Sequence, residues 1–148
     1  MNAKTYLKDW IIKYVENRDL ILKKIITIEK QENDLIINFK DKQQTFFIEP
    51  ILNDIDNIIN KLQPDKHYAL VVLNTIDNFN LIIENWDKLI KFKCLCIYFV
   101  NPESNLDKKW MVYPHTHHKI CDETSLKTGL KTMFETVEPL TQIENKFK

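Results

Sequence analysis

Apolar and polar positions change their spacing several times along this chain, and each change marks an element. Near the start, Tyr6, Leu7, Trp10, Ile11, Tyr14 and Val15 recur at steps of three and four, with Lys4, Lys8, Asp9, Lys13 and Glu16 opposite. That period predicts an amphipathic helix. From residue 21 the composition turns β-branched, and three short apolar runs at 21–30, 34–39 and 45–49 are separated by Gln31-Glu32-Asn33 and Asp41-Lys42-Gln43-Gln44. Short polar joints of this kind favour an antiparallel meander.

After Pro50 the period returns to that of a helix. Ile51, Leu52, Ile55, Ile58, Ile59 and Leu62 form a stripe over 51–62, which Gln63-Pro64-Asp65 ends. The meander is expected to pack beneath this helix. The continuous apolar runs at 68–73 and 94–100 read as strands covered on both faces, with a helix over about 77–91 between them. A strand–helix–strand step of that length implies a parallel crossover. WMVY at 110–113 is a further strand, expected to form a hairpin with 94–100, and Pro114 interrupts it. Leu126, Leu130, Met133, Phe134 and Val137 mark a last helix capped by Thr124 or Ser125, before a polar, frayed tail over about 140–148. The expected fold class is mixed α/β: one mixed β-sheet flanked by helices, in the order α-β-β-β-α-β-α-β-β-α, as a single domain over residues 1–148.

Composition narrows the chemistry. The 148 residues carry 21 basic and 21 acidic side chains, so the formal net charge is zero and no global field draws the protein to a polyanion. Any anion site must be local. Arg18 is the one arginine and Gly129 the one glycine. A single glycine excludes glycine-rich phosphate loops and dinucleotide fingerprints, which need several for close backbone approach. Cys94, Cys96 and Cys121 match no disulfide framework, nothing at the start reads as a secretory leader, and no apolar stretch is long enough to span a membrane. The expectation is a cytoplasmic protein with no membrane association.

Asp34 opens the second run of the meander and Glu49 closes the third. With the helix, meander, helix and strand over roughly 3–74, this arrangement resembles the restriction-endonuclease-like, or PD-(D/E)XK, nuclease superfamily. The resemblance implies Asp34 and Glu49 as catalytic ligands of Mg²⁺, polarising a scissile phosphate. It also implies a lysine two positions after the glutamate, where this chain has Ile51, and Glu16 stands where some members add an acid. The motif is degenerate. Without the resemblance, Asp34 is a turn-edge residue and Glu49 a strand-end carboxylate near a helix N-terminus, where negative charge is favourable.

A second cluster lies in MVYPHTHHKICD. If 94–100 and 110–117 paired with numbers summing to 211, Cys96 would oppose His115 and Cys94 would oppose His117, giving a Cys₂His₂ set for zinc. The plainer account makes the cysteines small buried hydrophobes and the histidines a solvated loop, and no zinc is expected.

The sequence reading is thus a restriction-endonuclease-like domain with an incomplete catalytic set, acting as a non-catalytic binding or assembly module in nucleic-acid metabolism. Lys23, Lys24, Lys40 and Lys42 are the lysines expected to contact DNA or RNA, and no cofactor is required. Two other readings stand beside it: an active Mg²⁺-dependent nuclease using Asp34 and Glu49, and a small structural protein that binds a protein partner.

Overall fold

The computed structural model describes residues 2–32 and 34–140. The helix α1 (Ala3–Leu22) is followed by the strands β1 (Ile25–Lys30), β2 (Asp34–Phe39) and β3 (Gln43–Ile48). Next come α2 (Ile55–Ile59), β4 (His67–Leu73), α3 (Ile76–Glu84), α4 (Trp86–Leu89), β5 (Leu95–Val100) and β6 (Lys109–Val112). The helices α5 (Pro114–Ile120) and α6 (Glu123–Thr136) complete the order. The fold is mixed α/β, as its alternating periods predict. The frayed tail expected beyond Leu140 lies outside the described residues.

The six strands form one sheet in sequence order, with β1–β2, β2–β3 and β5–β6 antiparallel and β3–β4 and β4–β5 parallel. Strand alternation divides the sheet's side chains between two cores. Leu35, Ile37, Phe46, Ile48, Ala69, Val71, Leu73, Cys96, Tyr98 and Val100 meet Leu7, Ile11, Ile12 and Val15 of α1. Phe47, Tyr68, Leu70, Val72, Leu95, Ile97, Phe99, Trp110 and Val112 meet apolar residues of α2, α3, α4 and α6. Among the described residues α1 is the one helix on the first of these faces, joined by Leu140. Leu35, Ile37, Phe46 and Ile48 of the meander pack against α1, which corrects the expectation that the helix after it would be its cover; on the other face Phe47 is the meander's buried residue in the core that α2 joins.

The order never reverses, so two crossovers of the same hand fall on the same face, and the sheet has no switch-point crevice where α/β proteins commonly hold ligands. The carboxyl ends of β4 and β5 are moreover closed by buried asparagines. Asn74 donates to the carbonyls of Phe134 and Val137 and accepts from the Trp110 indole. Asn78 accepts from the Leu52 amide and donates to the Pro50 and Leu73 carbonyls, and Asn101 donates to the carbonyl of Glu138. These bonds satisfy the backbone groups that a strand end leaves over.

Local chemistry moved several boundaries. α1 runs to Leu22 because the Asp19 carboxylate accepts the amides of Lys24 and Ile25, a stop signal that arrives after the β-branched run has begun. Lys23 makes the turn at φ 51°, in the left-handed region. The helix expected over 51–62 shrinks to five residues, since Asp54 caps it at the Asn57 amide and Pro50 is held in the asparagine network instead. Asn85 breaks the helix expected over 77–91 into α3 and α4. α6 is capped by Asp122, which bonds the Ser125 amide, rather than by Thr124 or Ser125.

Candidate functional site

The expected hairpin of β5 and β6 forms, with Ile97 opposite Val112 and Val100 opposite Lys109. Paired numbers sum to 209, not 211, and the ladder ends at Val112. The histidines are not a loop: they lie on α5, where Pro114 occupies the first turn, the position at which its missing N–H is harmless. His115 bonds the Ile90 carbonyl at 2.8 Å and His117 bonds the Tyr113 backbone. The structure therefore does not bring Cys94, Cys96, His115 and His117 together as four ligands. Extending the same register by one residue sets Tyr113 against Cys96, and the two side chains are hydrogen bonded. Burial pushes the Cys96 thiol up to about 12, and burial with the neighbouring thiol pushes Tyr113 up to about 12. Both stay protonated at neutral pH.

Asp34 and Glu49 lie at one end of the meander, where Asp34 pairs with Phe47 across β2–β3 and the Glu49 amide bonds the Val71 carbonyl. Both are half-buried. Leu35 and Ile37 point to α1, so alternation turns Asp34 to the opposite face, as it does Phe47 and hence Glu49. Glu16 lies on α1, beside Ile25 and Ile28, and so does not join them. Ile51 is 49% exposed at the position where the nuclease pattern has lysine. Among the described residues no three His, Cys, Asp or Glu side chains are grouped to hold a metal ion. Asp34 and Glu49 share the face opposite α1 as two carboxylates, with Ile51 where the resemblance implies a lysine.

At the other end of the sheet, on the α1 face, a cavity of about 420 Å³ opens. Sequence reasoning missed it, because its wall comes from many separate segments. Phe39, Gln44, Phe46, His67, Cys94 and Tyr98 form the floor, each in phase with the strand residues that face α1. Val15, Arg18, Asp19 and Leu22 of α1 form the roof, while Lys24, Asp41, Lys42 and Lys93 reach it from the ends and turns of the strands.

Comparison of the chain with protein-family models, with curated proteins and with solved structures returns no match. The reading of the site rests on its own geometry.

That geometry is electropositive. Arg18, Lys24, Lys42 and Lys93 face two carboxylates, Asp19 and Asp41, in a chain of zero net charge. Asp19 already accepts two backbone amides, so it offers the cations little. Among the described residues the fold's ion pair joins Lys88 to Asp56, outside the cavity. The Arg18 guanidinium stands 5.6 Å from the centroid of the Tyr14 ring, and the ammonium of Lys42 stands 5.5 Å from that of Phe39. Aromatic faces hold these cations without neutralising them.

Lys24 and Lys42 were expected as nucleic-acid contacts, and both line this cavity. The other two do not: Lys23 borders the groove beside Glu16 and Leu20, and the exposed Lys40 bonds the Lys24 carbonyl through its amide. The lysines also lie apart from the acid pair. Five steps along β2 separate Asp34 from Phe39, about 17 Å at 3.4 Å per residue, and the two sites occupy opposite faces.

Proposed function

We propose that this chain is a non-catalytic nucleic-acid-binding module whose contact site is the cavity beneath the last turns of α1. The observation that carries the reading is the excess of cations, Arg18, Lys24, Lys42 and Lys93, none in an ion pair among the described residues, around an aromatic floor in a molecule of zero net charge. Lysines at strand ends contact phosphate as point charges, and Phe39 and Tyr113, which line the cavity, offer ring surface. The incomplete acid site supports binding without cleavage. The resemblance to restriction-endonuclease-like nucleases, over the helix, meander, helix and strand, supports a place in nucleic-acid metabolism by analogy alone.

The test is retention of single- and double-stranded DNA and RNA at low salt, followed across a salt titration. Each phosphate neutralised contributes roughly 0.7–0.9 to the slope of log affinity against log salt. Lys24→Gln and Lys42→Gln are each expected to lower that slope by about this amount, while Lys23→Gln leaves it unchanged. Absence of retention for all four nucleic acids would overturn the reading and favour the protein-partner class.

A further inference from the structure

We infer that the cavity takes the phosphorylated terminal nucleotide of a nucleic-acid strand, with Arg18 gripping the phosphate. The inference rests on the nucleic-acid reading and names which part of the strand is bound. Its ground is the shape of the cavity. The floor is the sheet and the roof is α1, and inward they end in Phe46 and Tyr98 below and Val15 above, which are 1%, 4% and 7% exposed and belong to the core. Lys24, Lys42 and Lys93, between elements, and His67, the first residue of β4, all sit at one end of the sheet's strands. A strand end that enters past them meets the core at the back, so the cavity admits one nucleotide and stops there.

Size and chemistry agree with one nucleotide. A volume of about 420 Å³ lies near the lower end of ordinary small-ligand pockets, with room for a base, a sugar and a phosphate but not for a continuing chain. The anion partner is the chain's one arginine, fixed on a helix rather than on a loop. Guanidinium can hold two phosphate oxygens at once, which a lysine cannot. Tyr98 and Tyr113 line the cavity with Arg18, and desolvation raises both above the ordinary phenol range, so their hydroxyls stay neutral and add no charge that would repel phosphate.

The experiment measures fluorescence anisotropy with one single-stranded sequence in four forms: 5′-phosphorylated, 3′-phosphorylated, hydroxyl-ended and circular. At least one phosphorylated form is expected to bind the wild type about tenfold or more tightly than the hydroxyl-ended and circular forms. Arg18→Gln should bring all four within about twofold, with Arg18→Lys intermediate, and Lys61→Gln on the other side of the sheet should behave as wild type. Equal wild-type affinity for phosphorylated and circular strands would overturn terminal recognition while leaving nucleic-acid binding intact. Failure of every strand to bind, including a case in which a free nucleoside monophosphate does bind, would overturn both readings. The comparison among ligands is made on the wild type, so it does not depend on how any variant folds.

Discussion

The indole nitrogen of Trp110 donates to Asn74 Oδ1 at 2.8 Å, in a site where the asparagine has no exposed surface. This bond ties the edge strand β6 to the end of β4. The same amide group holds the Phe134 and Val137 carbonyls, so one side chain joins the sheet to the last helix. Asn74→Ala would strand one buried donor and two acceptors. The expected cost is about 3–5 kcal/mol, measured by urea denaturation with Trp fluorescence as the signal. A loss below about 1 kcal/mol would mean that water replaces the amide at no cost and that the network is not what closes this end of the sheet.

Lys23 ends α1 at φ 51°, a conformation that a side chain makes costly and that glycine adopts freely. Lys23→Gly is therefore expected to stabilise the protein by roughly 0.5–1 kcal/mol, seen as a higher denaturation midpoint. Because Lys23 lies outside the cavity, nucleic-acid affinity should not follow the change. A loss of stability would place the helix end elsewhere.

The acid pair gives a prediction of opposite sign to that of the nuclease resemblance. Mg²⁺ and Mn²⁺ are expected to shift the thermal midpoints of the wild type and Asp34→Ala equally, since among the described residues no third His, Cys, Asp or Glu joins the two carboxylates, and such a pair binds a divalent cation weakly. A rise confined to the wild type, together with metal-dependent cleavage of DNA or RNA lost in Glu49→Ala, would establish the nuclease instead.

Alkaline stability follows from Cys96. Its thiol is raised to about 12 by burial, against about 8.5 in an unfolded chain, so the native state keeps a proton that the unfolded state gives up. The contribution is fully present below about pH 8.5 and is lost as pH rises towards 12. Stability should be flat from pH 7 to 8.5 and fall beyond it, and Cys96→Ala should flatten the first part of the fall, between about pH 8.5 and 10. Above about pH 10 the buried Tyr98 phenol and the raised Tyr113 phenol add to the loss in both proteins. An identical decline in the variant over the lower range would assign the effect to other groups.

The chain's own pattern determined its elements wherever side-chain period and local chemistry coincide. The runs 34–39, 68–73 and 94–100 became β2, β4 and β5 within a residue, because strand period and continuous burial are written directly in Leu35 and Ile37, in Tyr68 to Leu73, and in Leu95 to Val100. It also paired β5 with β6 correctly, since a polar loop between two apolar strands permits little else. α5 was hidden because Pro114 and three histidines read as loop. What makes them a helix is the docking of His115 on the Ile90 carbonyl, a contact made by a residue 25 positions away. The separation of Asp34 and Glu49 from the lysines, and the cavity itself, were decided by tertiary structure alone. Each floor residue is in phase along its own strand, but the cavity exists only once β2, β3, β4, β5 and β6 lie side by side in sequence order and α1 is set across them. Strand neighbours and helix placement are long-range choices made by burial of both sheet faces, and spacing along a chain carries no measure of distance between its segments.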